Sequence, residues 1–426
     1  MSRESQTMEV DEPLFGGMSV NRTAIPQHLL DIDSKQRRNL FPWNGQFSPQ
    51  LIDVLLSQFA PPGGLVLDPF AGSGTVLHEA GRLGLPVVGV EINPAAFKMA
   101  NMYCWMRYSI TRRKSRMTDA ESVLFDALPN DRGTLFGPTR QIPEADVQES
   151  LIAALGRLEN EDSRSLLEAL IILLDFSQEV TSEKVFRMWS ALKTKVMDLP
   201  FTTSTVVLQN QDARSLPLED DTVRLVLTSP PYINVFNYHQ QYRKSVEALG
   251  WNPLTVARAE IGSNRKHRQN RFLTVIQYCL DMADVLREMQ RVCQNGSRAI
   301  MILGRESNVR KTRFFNGEIM ASLATRCVGF GLMMRQERRF QNRFGDTICE
   351  DILHFEVRKD NGTSYDDPRD VAAEVLISAK LRCAPESVGD LDDAIGAVRE
   401  VQPSPLYDLA SASNLSPELT DRIAAT

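Results

Sequence analysis

A strand (LVLDPF), a glycine loop (AGSG), a helix (TVLHEAGRLG) and a second strand (PVVGVEI) follow one another between Leu65 and Ile92. That succession within some thirty residues is the pattern of a parallel βαβ unit. Two further buried strands, at LVLTS and GSRAIMILG, and a closing strand pair complete the set. The predicted fold class is therefore α/β and Rossmann-like, a mostly parallel sheet with an antiparallel closing strand and a helical insertion.

Taken in order, residues 1–37 are expected to form an arm. FSPQLIDVLLSQF then places Leu51, Val54, Leu55 and Phe59 at helical spacing behind Ser48 and Pro49, which predicts a capped helix with proline in its first turn. PPGG ends it and the βαβ unit follows. Residues 117–200 break the alternation with three apolar stripes: Val147, Leu151, Leu155, Leu158; Leu166, Leu170, Leu173, Leu174; and Val185, Trp189, Leu192, Val196. Three inserted helices are predicted there. TSTVVLQ and LVLTS resume the sheet, FLTVIQYCLDMADVLREMQRV is a helix, and GFGLMMRQERRF with DILHFEVRK reads as an antiparallel pair. Residues 360–426 are acidic with weaker helical stretches, including a capped one at SPELTDRIA.

The chain has 426 residues, 42% of them hydrophobic, enough for one large core or two modest ones. Six cysteines stand singly without CxxC, which argues against structural zinc and for reduced thiols in a cytoplasmic protein. The most apolar segment, LLEALIILLDF, is short and carries Glu168 and Asp175, so no membrane span is expected. The net charge of −6 is unevenly placed. Residues 360–426 hold 13 acids against 5 bases and residues 117–200 hold 15 against 8, so the rest of the chain is net basic. Such asymmetry permits a polyanionic partner.

Two motifs carry chemistry. In the first, Gly72 and Gly74 are expected to let backbone amides approach a ligand, with Asp68 and Glu91 at the ends of successive strands as acceptors; an acid in the place of Glu91 grips ribose hydroxyls. In the second, the strand LVLT runs into Ser229, Pro230, Pro231 and Tyr232 at the same sheet edge. Proline cannot donate to a ladder, so the strand stops there with a rigid backbone. The Ser229 hydroxyl and Pro230 carbonyl then form a pair of acceptors, and Tyr232 a flat face. These parts suit an aromatic exocyclic amine, whose lone pair is freed for attack when its N–H groups are held.

DPFAGSGT with TSPPY resembles the exocyclic-amino DNA methyltransferases, which methylate cytosine N4 or adenine N6 using S-adenosylmethionine on a class I methyltransferase fold. The resemblance covers roughly residues 38–104 and 201–358 and implies a cofactor-binding half, 38–116, and a catalytic half, 201–359. On the cofactor signature it matches Asp68, Pro69, Phe70, Ala71, Gly72, Gly74 and Thr75, with Glu91 and Asn93 after the next strand. FPWNGQFSPQLI, including Phe47, is similar to the segment over the methionine end, and Asp212 matches the acid that holds the adenine amine. Ser229, Pro230, Pro231 and Tyr232 match the catalytic signature. The serine form favours cytosine N4, whereas the order of the two motifs is unusual for serine-type enzymes and keeps adenine N6 open. The implied partner is double-stranded DNA, with a cognate restriction endonuclease as a further candidate; RNA base methylation is the more distant alternative.

Between 233 and 271, Arg243, Lys244, Arg258, Arg265, Lys266, Arg268 and Arg271 are interleaved with Tyr238, Tyr242 and Trp251, and are expected to contact DNA. Arg112–Arg116 and Arg335–Arg343 are lesser basic clusters. Two other enzyme classes fit poorly. A nicotinamide dehydrogenase would want GxGxxG and leaves TSPPY without a role, and cytosine-C5 methylation needs a Pro-Cys pair that is absent.

Overall fold

The computed structural model describes residues 19–32, 36–128, 144–233, 237–263, 267–341, 345–359 and 365–409. Arg265, Lys266, Arg343 and the SPELTDRIA helix fall outside the described residues. Helices α1 (Gln27–Asp31) and α2 (Pro49–Phe59) precede β1 (Leu65–Asp68), α3 (Thr75–Arg82), β2 (Val87–Val90) and α4 (Pro94–Ala100). Next come α5 (Ile110–Ala127), α6 (Glu144–Leu155), α7 (Glu161–Leu174) and α8 (Ser182–Met197). The sheet resumes with β3 (Val206–Gln209) and β4 (Val223–Thr228), followed by α9 (Arg243–Ala248), α10 (Pro253–Ala259), α11 (Leu273–Val292) and β5 (Cys293–Gly304). A small hairpin, β6 (Glu306–Val309) and β7 (Thr312–Phe315), leads to α12 (Asn316–Ser322), β8 (Gly331–Gln341) and β9 (Thr347–Glu356). Helices α13 (Pro368–Ala379) and α14 (Val388–Gly396) follow.

Among the described residues the main sheet has seven strands in the order β3-β2-β1-β4-β5-β9-β8. The first five pair in parallel and β9 runs antiparallel to both β5 and β8. This is the expected Rossmann-like, mostly parallel sheet with its antiparallel closing strand. The chain leaves the centre in opposite directions from β1 and β4, so the crevice at the carboxyl ends of these two strands is the switch point where such sheets bind ligands.

The strands are buried on both faces. Leu225 and Leu227 of β4 pack into the layer holding α2, α3 and the inserted helices, while Val226 packs against α11. The three predicted apolar stripes all turn inward, with only Leu173 partly exposed. A fourth helix, α5, starts at Ile110 and was not legible in the sequence. Its first turns read TRRKSR, and Ile110 is exposed. It docks through Met117, Ala120 and Leu124, which are buried in the core, and through Arg113, which is buried and donates to the carbonyls of Trp105, Met106, Val196, Leu199 and Pro200. Arg112 and Arg116 face Asp162. The three arginines of this basic cluster thus face internal partners, while Lys114 is exposed.

Two other expectations change in detail. Ser48 does occupy the N-cap of α2, but its hydroxyl makes no capping bond and is buried without a partner. The described part of the arm is docked: Asn21 N–H donates to the Arg335 carbonyl, and Gln27 Nε2 donates to that of Glu337, along β8. The acidic C-terminal region packs on α11 through Val371, Ala372, Leu376 and Ala379. Among the described residues no helix is long and apolar enough to cross a membrane, and no cluster of metal-ligating side chains occurs.

Candidate active site

The loop after β1 turns sharply because Gly72 and Gly74 take left-handed backbone angles, φ +52° and +89°. They serve different ends. A Cβ on Gly72 would project towards Trp43, 3.4 Å away, at the cleft wall. A Cβ on Gly74 would instead strike the Tyr103 ring at 2.7 Å and Ala100 at 2.9 Å. Gly74 therefore permits close packing of α3 on the core and does not line the cleft, a correction to its expected place among the ligand-facing residues.

The other cofactor-side residues named from the sequence, Phe47, Asp68, Pro69, Phe70, Ala71, Gly72, Thr75, Glu91, Asn93 and Asp212, do line one cleft at the carboxyl edge. Asp68 is 1% exposed; its Oδ1 accepts from Phe70 N–H at 3.2 Å and from the Thr228 hydroxyl at 2.7 Å. The second bond ties the glycine loop to the residue just before the tetrapeptide. Glu91 accepts from Gly72 N–H at 2.8 Å and Asn93 N–H at 2.7 Å, which fixes its carboxyl beside the loop. Burial pushes both acids up, each to about 7. The Asn93 side chain is engaged otherwise, capping α4 by accepting from Ala95 and Ala96 N–H.

Asp212 is placed at the cleft but its carboxylate is already committed. Oδ1 accepts from Arg214 N–H and Nε, and Oδ2 from Arg214 Nη2 and Tyr407 N–H. A carboxylate offers about four lone-pair sites, and these donors fill them. The expected grip of Asp212 on an adenine amine is thus corrected: the side chain anchors the C-terminal segment, and Gln211 is the neighbouring polar residue that lines the cleft.

Sequence reasoning missed several wall residues: Trp43, Ile92, Ala213, Glu260 and Ile261. Glu260, 5% exposed, accepts from His239 N–H at 2.6 Å and lies 2.5 Å from its Nδ1. Trp43 stacks on Tyr238, centroids 6.0 Å apart, and on Tyr242 at 6.5 Å. Tryptophan in FPWN was a signal that a rim contact was being built.

At the tetrapeptide, Ser229, Pro231 and Tyr232 face the cleft and Pro230 is buried behind them. The Ser229 and Tyr232 hydroxyls lie 3.4 Å apart. Ser229 also borders a second, open cleft shared with Gln46 and Phe47, whose basic side chains are Arg37, Arg38, Lys195, Arg338 and Arg339. The described members of the basic set expected to touch DNA lie elsewhere. Lys244, Arg258, Arg268 and Arg271 are exposed, Arg243 pairs with Glu247 at 2.8 Å, and none lines either cleft. Of their interleaved aromatics, Tyr238 and Tyr242 pack on Trp43, and Trp251 is buried beside Lys98. The basic cleft at Ser229 draws instead on the arm, α8 and β8, segments too far apart in sequence to read as one patch.

The cleft fits a nucleoside joined to an amino acid. Glu91 has its carboxyl held by two backbone donors next to a glycine loop, and Ile92, Ala213 and Ile261 add apolar wall to the same cleft. The N6/N4 DNA methylase family model matches residues 24–102. The type II methyltransferase M.MjaII of Methanocaldococcus jannaschii is 30% identical over 86 residues, 20% of this chain and 16% of that protein. A SAM-dependent methyltransferase structure from Methanosarcina mazei overlaps with a TM-score of 0.34 at 12% identity, covering 72% of this chain and 98% of that one. TrmN from Thermus thermophilus overlaps with a TM-score of 0.29 at 15% identity, covering 74% of this chain and 50% of that one. The fold assignment rests on the strand order and not on those overlaps. Residues 24–102 are thus similar to the N6/N4 DNA methylases, and the match covers only a small part of the curated relative's length; S-adenosylmethionine is the cofactor that this similarity indicates for the cleft.

Proposed function

We propose that the protein is a DNA methyltransferase acting on the exocyclic amine of a flipped-out base, cytosine N4 in the first instance. The observation that carries this reading is the position of Ser229, which borders both the cofactor cleft and the adjoining basic cleft. Asp68, Glu91 and the Gly72 loop are the residues that would hold S-adenosylmethionine, which when bound supplies an electrophilic methyl group. The Ser229 hydroxyl and Pro230 carbonyl accept from the two N–H groups of the amine. That interaction favours a more tetrahedral nitrogen, whose lone pair would bond to the methyl carbon as the methyl–sulfur bond breaks and its electron pair stays on sulfur. The nitrogen then sheds one proton, for which the open side of the cleft at Ser229 is the exit. Tyr232 offers a stacking face worth roughly 1–3 kcal/mol, against a flipping cost of a few kcal/mol. The basic cleft contributes phosphate contacts, which position the duplex without reading sequence.

Adenine N6 is the second reading, favoured by the chain order in which Asp68 precedes Ser229. Incubation with methyl-labelled cofactor and separate pools of double-stranded DNA, RNA and tRNA tests the substrate class. Label in DNA alone is expected; label only in RNA contradicts the reading.

A further inference from the structure

Three residues stand in one row across the closing edge of the sheet. Glu350 of β9 is directly opposite Gly304 of β5 on one side and Arg338 of β8 on the other. Directly paired residues of neighbouring strands present their side chains to the same face. At Gly304 that face holds the Tyr232 ring, 3.2 Å from where a Cβ would stand. Because Gly304 lacks a side chain, nothing on β5 intervenes between the ring and the next residue in the row, Glu350. Glu350 lines the same open cleft as Ser229. Its Oε2 is buried and has no hydrogen-bond partner, lying 3.4 Å from Arg338 Nη1 without the alignment of a bond. A buried carboxyl oxygen without a partner is costly, and such a group beside a candidate reaction centre calls for an explanation.

We propose that Glu350 contacts the target base, its neutral carboxyl donating to the ring nitrogen next to the exocyclic amine. The inference rests on the methyltransferase reading above and adds to it the group that recognises the base. Cytosine and adenine share one feature at this edge: an amine adjacent to an unprotonated ring nitrogen, N3 in cytosine and N1 in adenine. A single donor placed beside the amine acceptors matches both. Thymine carries a carbonyl acceptor in place of the amine and an N–H donor at the corresponding ring position, so it sets acceptor against acceptor and donor against donor in the site. Burial holds the Glu350 carboxyl above the usual carboxylate range, and the neighbouring Asp351 charge adds to this while Arg338 opposes it. The other titratable or charged groups facing it are Tyr232 on the loop after β4 and, across the cleft, Asp31, Arg37, Arg38, Lys195 and Arg339.

The test compares methyl transfer to duplexes carrying the natural target base and its ring-deaza analogue, 3-deazacytosine or 1-deazaadenine, with cofactor and duplex affinities measured alongside. The wild type is expected to lose about ten- to a hundredfold on the deaza duplex. Glu350→Leu should lose a similar factor on the natural duplex and nothing more on the deaza one. Glu350→Gln, which keeps an N–H donor, should recover most of the loss. Its activity should also persist at high pH, where the wild type declines as the carboxyl ionises. Equal wild-type rates on the two duplexes overturn the proposal even where Glu350→Leu fails to fold, as does a Glu350→Leu variant of full activity. If the wild type binds cofactor but methylates no DNA, the methyltransferase reading itself falls and takes this assignment with it.

Discussion

Asp68 is buried and Glu91 partly so, and desolvation pushes both carboxyls up to about 7. An acid with a raised native value binds its proton more tightly when folded. It therefore contributes stability that is lost as pH climbs from the ordinary carboxylate range through about 7. Cofactor binding has the opposite sense, since hydroxyl groups donate best to an ionised carboxylate. Cofactor affinity is expected to rise between pH 6 and pH 8, and Glu91→Gln to flatten the rise; isothermal titration at the two pH values checks it. At the tetrapeptide, Tyr232→Ala should lower methyl transfer by about 10- to 100-fold, the worth of one stacked base, while cofactor affinity stays within a few-fold. Full activity in that variant would remove the stacking role. Residue types and spacing made Asp68, Glu91 and Ser229 legible in the sequence. Commitments made through space were not. Nothing in the text says that Tyr407 reaches back 195 residues to occupy Asp212, or that Gly74 answers to Tyr103.

Among the elements, the glycine loop and the C-terminal segment give separate tests. Gly74→Ala drives a Cβ into Tyr103 and Ala100 in a left-handed turn, so thermal unfolding should show a loss of about 1–3 kcal/mol. Gly72→Ala meets only Trp43 at 3.4 Å and should harm cofactor affinity more than stability. The C-terminal segment is held by Asp281, fully buried on α11, which accepts from Ser404 N–H and from Arg214. Asp281→Ala leaves Arg214 paired with Asp212 but removes its second carboxylate and the acceptor of Ser404, and is expected to cost about 1–3 kcal/mol, read by denaturant unfolding. The strands and the three inserted helices could be read in advance because their apolar periodicity is regular. Helix α5 was harder to read, because in its first turns a buried arginine bonded to backbone carbonyls stands where an apolar residue would mark the helix, and the stripe of Met117, Ala120 and Leu124 begins only after it.

For the whole molecule, the cleft at Ser229 gathers basic groups from the arm, from the last inserted helix α8 and from β8. Duplex binding through this cleft should weaken steeply with salt, and Arg339→Ala should reduce the slope of log K against log salt by about 1. Charge-reversing Arg268 and Arg271, which line neither cleft, should leave that slope nearly unchanged by the same titration. The overall architecture was readable because a βαβ unit and a closing hairpin allow few arrangements. The basic cleft was not, because its parts lie some 300 residues apart and only the folded sheet edge assembles them.

The central claim is that cofactor cleft and tetrapeptide form one centre for methylating a base amine in DNA. Digestion of DNA to nucleosides after incubation with methyl-labelled S-adenosylmethionine tests it most directly. The account predicts label in N4-methylcytosine, with N6-methyladenine as its stated alternative, and loss of that label in Tyr232→Ala. Label in 5-methylcytosine, or undiminished label in Tyr232→Ala, would contradict it.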